Sequence, residues 1–329
     1  MIMQYRLLGK TGFKISEVSL GTWQVGGKWG EIFNHKTADT ILNTAVDNGV
    51  NFIDTADVYS DGDSEKAVGR LLKNRSERIY VATKCGRRLN PHTNEAYTPK
   101  ALRQFVEASL TNMQLECLDL IQLHCPPTEV FYRPEIFGLF EDLKKEGKIL
   151  NLGVSVEKVE EAIKAIEFEN VSTIQIIYNM FRQRPNELFF KLAKQNNVGI
   201  IARVPLASGL LTGKFSEEST FSKDDHRFFN RNGEQFDKGE TFSGIDYNTG
   251  LQAVNALKEA FPDENLTLLA LKWILMFDEV SCVIPGASKV EQIQSNLQVE
   301  NVLELSKDDM KTITSIYTEF IKPKVHQLW

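Results

Sequence analysis

Eight short apolar runs alternate with segments of helical periodicity along this chain, and that alternation limits the possible folds more than any other feature. The runs lie at residues 18–23, 51–53, 79–84, 118–124, 149–155, 173–178, 198–205 and 282–286. Such runs suit strands covered on both faces of a parallel sheet. Between them, residues 37–48, 64–73, 98–115, 134–146, 157–168 and 185–196 carry apolar positions at helical spacing. Thr98-Pro99 opens one of these helices with proline at its first position, and Asn48-Gly49 and Gly147 close two others. Residues 249–260, 266–277, 289–298 and 306–321 read as further helices, and residues 4–16 as a small β-hairpin around Gly9-Lys10-Thr11-Gly12.

Parallel strands need long crossovers, usually helical. Eight βα units in 329 residues fit an α/β fold of the (β/α)₈ TIM-barrel type, with an N-terminal β-hairpin and extra C-terminal helices, in a single domain over 1–329. A doubly wound open sheet is disfavoured because no GxGxxG follows the first strand. One long polar stretch, 207–247, interrupts the rhythm, and loops of that length are usually functional or disordered.

The chemistry depends on where strands end. All strand carboxyl ends of such a barrel share one face, and the site lies there. The run at 51–53 leads into Asp54, with Tyr59 a few residues on; the next two runs end in Lys84 and His124. Taken singly, a polar residue at a strand end is more often a cap or a surface charge, and a loop tyrosine more often packs. Asp57 reads as a cap or an ion pair. Together, the set at 54, 59, 84 and 124 has a specific logic. A phenol with a reference pKa of about 10 is a poor acid at neutral pH. A neighbouring ammonium lowers that value, and Asp54 would hold Lys84 charged. His124 would donate a hydrogen bond to a carbonyl oxygen, so the group would polarise a carbonyl and deliver one proton to it. A hydride donor would complete a reduction.

The stretch from Asn51 through Asp54-Thr55-Ala56-Asp57-Val58 to Tyr59, with Val81-Ala82-Thr83-Lys84 and Ile121-Gln122-Leu123-His124, resembles the aldo-keto reductases. The likeness runs from the hairpin to Asn296 and is nearest the long-chain bacterial members related to the potassium-channel beta subunits. It implies a barrel enzyme that reduces aldehydes or ketones with NADPH, NADH being compatible, and with Tyr59 as the general acid. It also implies a nucleotide site. Thr22, Trp23 and Asp54 would line it; Ser155 and Gln175 would hold the carboxamide. Arg203-Val204-Pro205-Leu206 would also bind the cofactor, and the turn with Ser208-Gly209 that leads to Lys214, with Arg227, would fold over the pyrophosphate. Gly286, Ser288, Gln292 and Asn296 would take the adenosine end. This chain departs from many members in having Arg203 where an aromatic is common, Val156 where Asn is common, and Gly286 and Gln292 where shorter members grip a 2′-phosphate. Lys289 is a candidate substitute.

Two other classes stay open: a nucleotide-binding sensor or partner subunit with little turnover, and a Schiff-base aldolase using Lys84. Substrate choice would fall to Trp23, Trp29, Phe33, the 125–132 loop and the tail at 322–329. A net charge of −6 and a pI near 5.6 argue against nucleic acid or an anionic membrane surface as partner. Cys85, Cys117, Cys125 and Cys282 have no metal-ligand spacing, so no metal site is expected, and they suit a reduced, cytoplasmic setting. The start of the chain lacks a signal-peptide core, and Lys272 interrupts the most apolar run. The oligomeric state is not legible.

Overall fold

A computed structural model describes residues 3–27 and 32–329; Trp29 lies outside the described residues. A two-stranded antiparallel ribbon, β1 (Tyr5–Leu7) and β2 (Lys14–Ser16), precedes an eight-stranded parallel sheet. The sheet runs β3 (Leu20–Gly21), β4 (Phe52–Asp54), β5 (Tyr80–Cys85), β6 (Leu118–His124), β7 (Ile149–Ser155), β8 (Val171–Ile177), β9 (Gly199–Arg203) and β10 (Val280–Val283), each beside its sequence neighbour. Parallel bridges from Val18 to Val283 and from Gly21 to Gly286 join the two edges, so the sheet closes. Val283 N donates to Glu17 O and Ser19 N to Val283 O, each at 2.9 Å. Closure leaves no unpaired sheet edge and brings all strand carboxyl ends to one rim.

The crossovers are helical: α1 (His35–Asp47), α2 (Asp63–Lys73), α3 (Pro99–Met113), α4 (Pro134–Lys145), α5 (Val159–Ala165) and α6 (Phe189–Gln195). Their starts are set locally. Asn34 Oδ1 accepts from Thr37 N at 2.9 Å, and Thr98 Oγ1 from Ala101 N at 3.2 Å, each satisfying an orphan donor of the first turn. The 207–247 stretch is built rather than shapeless. It holds a 3₁₀ turn (Ala207–Thr212), the short α7 (His226–Phe229) and two further turns (Lys238–Glu240, Phe242–Gly244). Then come α8 (Tyr247–Ala260), α9 (Leu266–Leu275), α10 (Val290–Leu297), α11 (Lys307–Ile316) and α12 (Lys322–Val325). The helix expected at 306–321 thus ends early, with a π-type turn (Tyr317–Ile321) between α11 and α12. The strand expected to begin at 282 begins at 280. Among the described residues no helix is long and apolar enough to cross a membrane.

The main core lies between strands and helices. A second, smaller one fills the lower barrel, where Leu8, Phe13 and Ile15 of the hairpin meet Phe52, Leu120 and Ile201. Gly9 makes this fit possible: its φ is +50°, and a Cβ there would stand 2.1 Å from Gly199 N. The hairpin therefore plugs the barrel floor, so the barrel interior is open to a ligand from the opposite rim. Truncating the fully buried Leu8 to alanine should destabilise the protein by about 2–5 kcal/mol in urea unfolding. A loss below about 0.5 kcal/mol, typical of surface substitutions, would show that the plug is not part of the core.

Candidate active site

Side chains that alternate along parallel strands converge at the upper rim. Register places Gly21 beside Asp54, Lys84 beside Gln122, and His124 beside Ser155, which in turn neighbours Gln175. Lys84 is fully buried, and an ammonium in such a place needs a partner for each of its three donors. It has them: Asp54 Oδ2 at 2.5 Å, Thr55 O at 2.8 Å and the Tyr59 hydroxyl at 3.4 Å. The other Asp54 oxygen accepts from Gln175 Nε2 at 2.7 Å and Gln122 Nε2 at 3.1 Å. Gly153 leaves room for Gln122 and Thr173, since a Cβ there would stand 2.1 Å from Thr173 Oγ1 and 3.1 Å from Gln122 Cγ.

Tyr59 sits where the chain leaves β4. Ser60 (φ 47°), Asp61 (φ 54°) and Gly62 (φ 87°) follow it in left-handed conformation, a costly turn that directs the phenol back over Lys84. The His124 ring stands edge-on to it, centroids 6.1 Å apart. His124 Nδ1 is buried without a hydrogen-bond partner among the described residues.

The electrostatics differ from the simple expectation in one respect. Burial raises the Tyr59 phenol and outweighs the lowering by Lys84, so its net shift is upward. Burial pulls the Lys84 amine down, but Asp54 and Tyr59 more than compensate, and it stays charged. Burial, then the charges of Lys84 and Arg87, hold His124 well below the ordinary histidine range, so its imidazole is neutral at physiological pH. The group is a charged amine, a protonated phenol and a neutral imidazole. An amine held as ammonium and without solvent access is poorly suited to imine formation.

A cleft of about 440 Å³ opens from this cluster across the rim. It is lined by Tyr59, Asp54 and Gln175, by Thr22 and Trp23, by Arg203-Val204-Pro205-Leu206, by Ser208, Gly209, Lys214 and Arg227, and by Gly286, Ser288 and Gln292. Ser155 and Asn296 are buried outside its lining; Lys84 lies behind Asp54 and Tyr59, to which it is hydrogen-bonded, and His124 stands beside Tyr59. Several expected binders already have structural work. Thr22 Oγ1 donates to Asp54 O at 3.1 Å. Gln292 Oε1 accepts from Ser288 N at 2.7 Å and caps α10. Arg227 is forked onto Asp225, with Nε to Oδ1 at 2.8 Å.

Arg203 is held edge-on by carboxylates. Its Nη2 donates to Glu157 Oε2 at 3.0 Å and Val156 O at 3.1 Å, and its Nη1 lies 3.3 Å from Glu240 Oε2. Cys125, Glu157 and Glu240 converge closely enough to ligate a cation, but the Arg203 guanidinium fills that role. Burial raises the Glu157 carboxyl, whereas Arg203 and Arg87 offset the burial of Glu240 and leave it lowered. Cys85 and Cys125 are buried thiols with raised pKa, as suits packing residues. Sequence reasoning missed Gln122, Glu240 and His226. Gln122 had a signal, standing two residues before His124 on the same strand face. His226, whose ring is tilted against Trp23 with centroids 4.8 Å apart, and Glu240 had none in their loop.

A model of the Aldo/keto reductase family matches residues 17–318. The chain is similar to the aldo-keto reductase YhdN of Bacillus subtilis, at 31% identity over 98% of this chain and 96% of that protein. It is also similar to a probable voltage-gated potassium channel subunit beta of Arabidopsis thaliana, at 30% identity over 92% and 93%. Among solved structures it resembles aldo-keto reductase AKR11C1 from Bacillus halodurans in its holo form, with a TM-score of 0.78, 27% identity and 96% of each chain covered.

Asp57, on the Tyr59 turn, is neither a cap nor an ion pair. Both its oxygens are buried without hydrogen-bond partners among the described residues, and burial, then Glu65, push it up to about 7. A raised folded value favours the neutral acid, so the contribution of Asp57 is greatest below its unfolded value of 3.8 and is lost as pH rises through 7. Asp57→Asn should flatten this slope and stabilise the protein at pH 8, by on the order of 4 kcal/mol at most. Urea unfolding of both proteins from pH 4.5 to 8 tests this; parallel profiles would contradict it.

Proposed function

Because the chain belongs to the aldo/keto reductase family, an NAD(P)H-dependent oxidoreductase family, we propose that it reduces aldehydes or ketones to alcohols with NADPH as preferred cofactor and NADH as the weaker alternative. One observation carries the reading: a buried Asp54–Lys84–Tyr59 chain whose phenol opens into an elongated cleft lined by polar backbone and cations.

The cleft fits a dinucleotide. Gly209 (φ 97°) and Ser208 (φ 55°) expose backbone on its wall, where glycine-containing turns admit phosphate, and Gly286 leads into the N-terminus of α10. Gln175 and Ser155 would orient the carboxamide. Thr22, Trp23, Val204 and Pro205 would form the walls. Leu206, Ser208, Gly209, Lys214 and Arg227 would bracket the pyrophosphate, and Gly286, Ser288, Gln292 and Asn296 the adenosine end. Lys214 is exposed there. Lys289, which precedes the first turn of α10 at the adenosine end, is the cation that supports the choice of NADPH.

When bound, the cofactor supplies a hydride to the carbonyl carbon. The chain supplies the rest. His124, neutral, donates a hydrogen bond to the carbonyl oxygen and orients it. Tyr59 gives its proton to that oxygen as charge develops, and Lys84, held by Asp54, stabilises the phenolate left behind. A phenol whose pKa is raised at rest enters this step fully protonated, and the ammonium acts as the proton leaves.

A second reading, a nucleotide-binding subunit with little turnover, draws support from the likeness to the plant channel subunit. Fluorescence titration with NADPH and NADH, followed by NADPH oxidation across an aldehyde panel, separates the two. The expected result is tighter NADPH binding and steady turnover. Binding without turnover on any aldehyde would favour the subunit. Tyr59→Phe should lower kcat by about 10²–10⁴-fold with cofactor affinity unchanged. Full activity in that variant would remove Tyr59 as proton donor.

A further inference from the structure

The long loop over the cleft is fastened from outside the barrel by the final residue of the chain. Trp329 is 5% exposed. Its Nε1 donates to Asp237 Oδ1 at 2.8 Å, its carbonyl accepts from Arg184 Nη1 at 2.5 Å, and the Arg182 guanidinium lies 4.0 Å from its ring centroid. Two glycines of the loop are shaped around it: a Cβ on Gly244 would stand 2.3 Å from the indole, and one on Gly239 3.0 Å. The tail leading there is also anchored, since Tyr317 OH meets His326 Nδ1 at 2.6 Å and His326 Nε2 lies 3.0 Å from Glu187 Oε1.

Between those two glycines stands Glu240, a residue of the cleft wall. It is tied to both sides of the cleft roof. Its carboxylate pairs with Arg203 at 3.3 Å, and its carbonyl accepts from Ser208 Oγ at 2.9 Å. Ser208 Oγ in turn accepts from Phe242 N at 3.1 Å. Ser208 belongs to the turn assigned above to the pyrophosphate. An indole wedged behind a turn, a carboxylate at its tip and a hydroxyl stitching that tip to the phosphate-facing turn form one mechanical path, every link a contact of ordinary length.

We propose that Trp329 is a positioning residue: it seats the 237–244 turn so that Glu240 and Ser208 hold the roof of the cleft in a cofactor-ready shape. The cofactor half of this statement rests on the reductase reading; the seating half does not. Trp329 touches neither cleft nor reacting atoms, and acts through Asp237, Gly239 and Gly244 on Glu240.

Hydrogen–deuterium exchange of the ligand-free protein, with cofactor titrations, tests both halves. Trp329→Ala should raise exchange about tenfold at 207–212 and 237–244, leaving the strands at 118–124 and 149–155 at wild-type rates. NADPH affinity should fall about tenfold. Trp329→Phe, which keeps the wedge and loses the Asp237 bond, should recover most of both. In a Glu240→Gln background, Trp329→Ala should have little further effect on affinity, because its path to the cleft is already cut. Unchanged exchange in the roof segments, or equal acceleration in the strands, overturns the seating role. Altered exchange with unaltered NADPH affinity, or additive effects with Glu240→Gln, overturns the positioning role. If the wild type binds neither nucleotide while exchange responds as predicted, the seating role stands and the reductase reading falls.

Discussion

A lysine amine sits in the interior of a closed barrel, and the neighbouring parts of the site follow from keeping it charged there. A lone ammonium removed from water would lose its proton or unfold its surroundings. Lys84 keeps its charge because Asp54, Thr55 and Tyr59 each present an oxygen to it, and because Gln122 and Gln175 saturate the remaining oxygen of Asp54. This requires four strands in fixed register and a glycine at 153 that admits the Gln122 side chain. The hairpin plug below and the left-handed turn after Tyr59 above then leave one direction open, over the phenol. Buried ion pairs contribute little net stability on average, so the arrangement is better understood as chemistry that the fold supports than as a source of its stability.

A second charge cluster operates at the rim. Arg203, at the end of β9, is immobilised by Glu157, Glu240 and the Val156 carbonyl. Its charge and that of Arg87 also help keep His124 neutral. The same cluster ties the long loop to the barrel, so the loop that shapes the cleft and the charges that tune the site are linked through one guanidinium.

Much of this was legible in the residues. The eight strands and their order follow from short apolar runs between helical segments, and the four residues at the strand ends follow from that order. What escaped reading was set by tertiary balance. Whether burial or a neighbouring cation dominates the Tyr59 phenol depends on how completely the turn closes over it. Ser288 and Gln292 looked like ligand contacts, yet they also satisfy each other as a helix cap, and sequence cannot rank two uses of one side chain. Glu240 was invisible, and the tail at 322–329 was expected to serve substrate choice with no partner named for Trp329, because both residues meet their partners across a loop without periodicity. Asp57 read as a cap because its burial without a partner is a property of the packed turn alone.

The central claim is that Lys84 acts on the reaction only through the proton on Tyr59. A double-mutant cycle on single-turnover reduction addresses it directly, using Lys84→Met, Tyr59→Phe and the pair, each first shown to be folded and nucleotide-bound. Lys84→Met should slow hydride transfer severely in the wild-type background and add almost nothing once Tyr59 is phenylalanine. Equal, multiplicative losses in both backgrounds would contradict it.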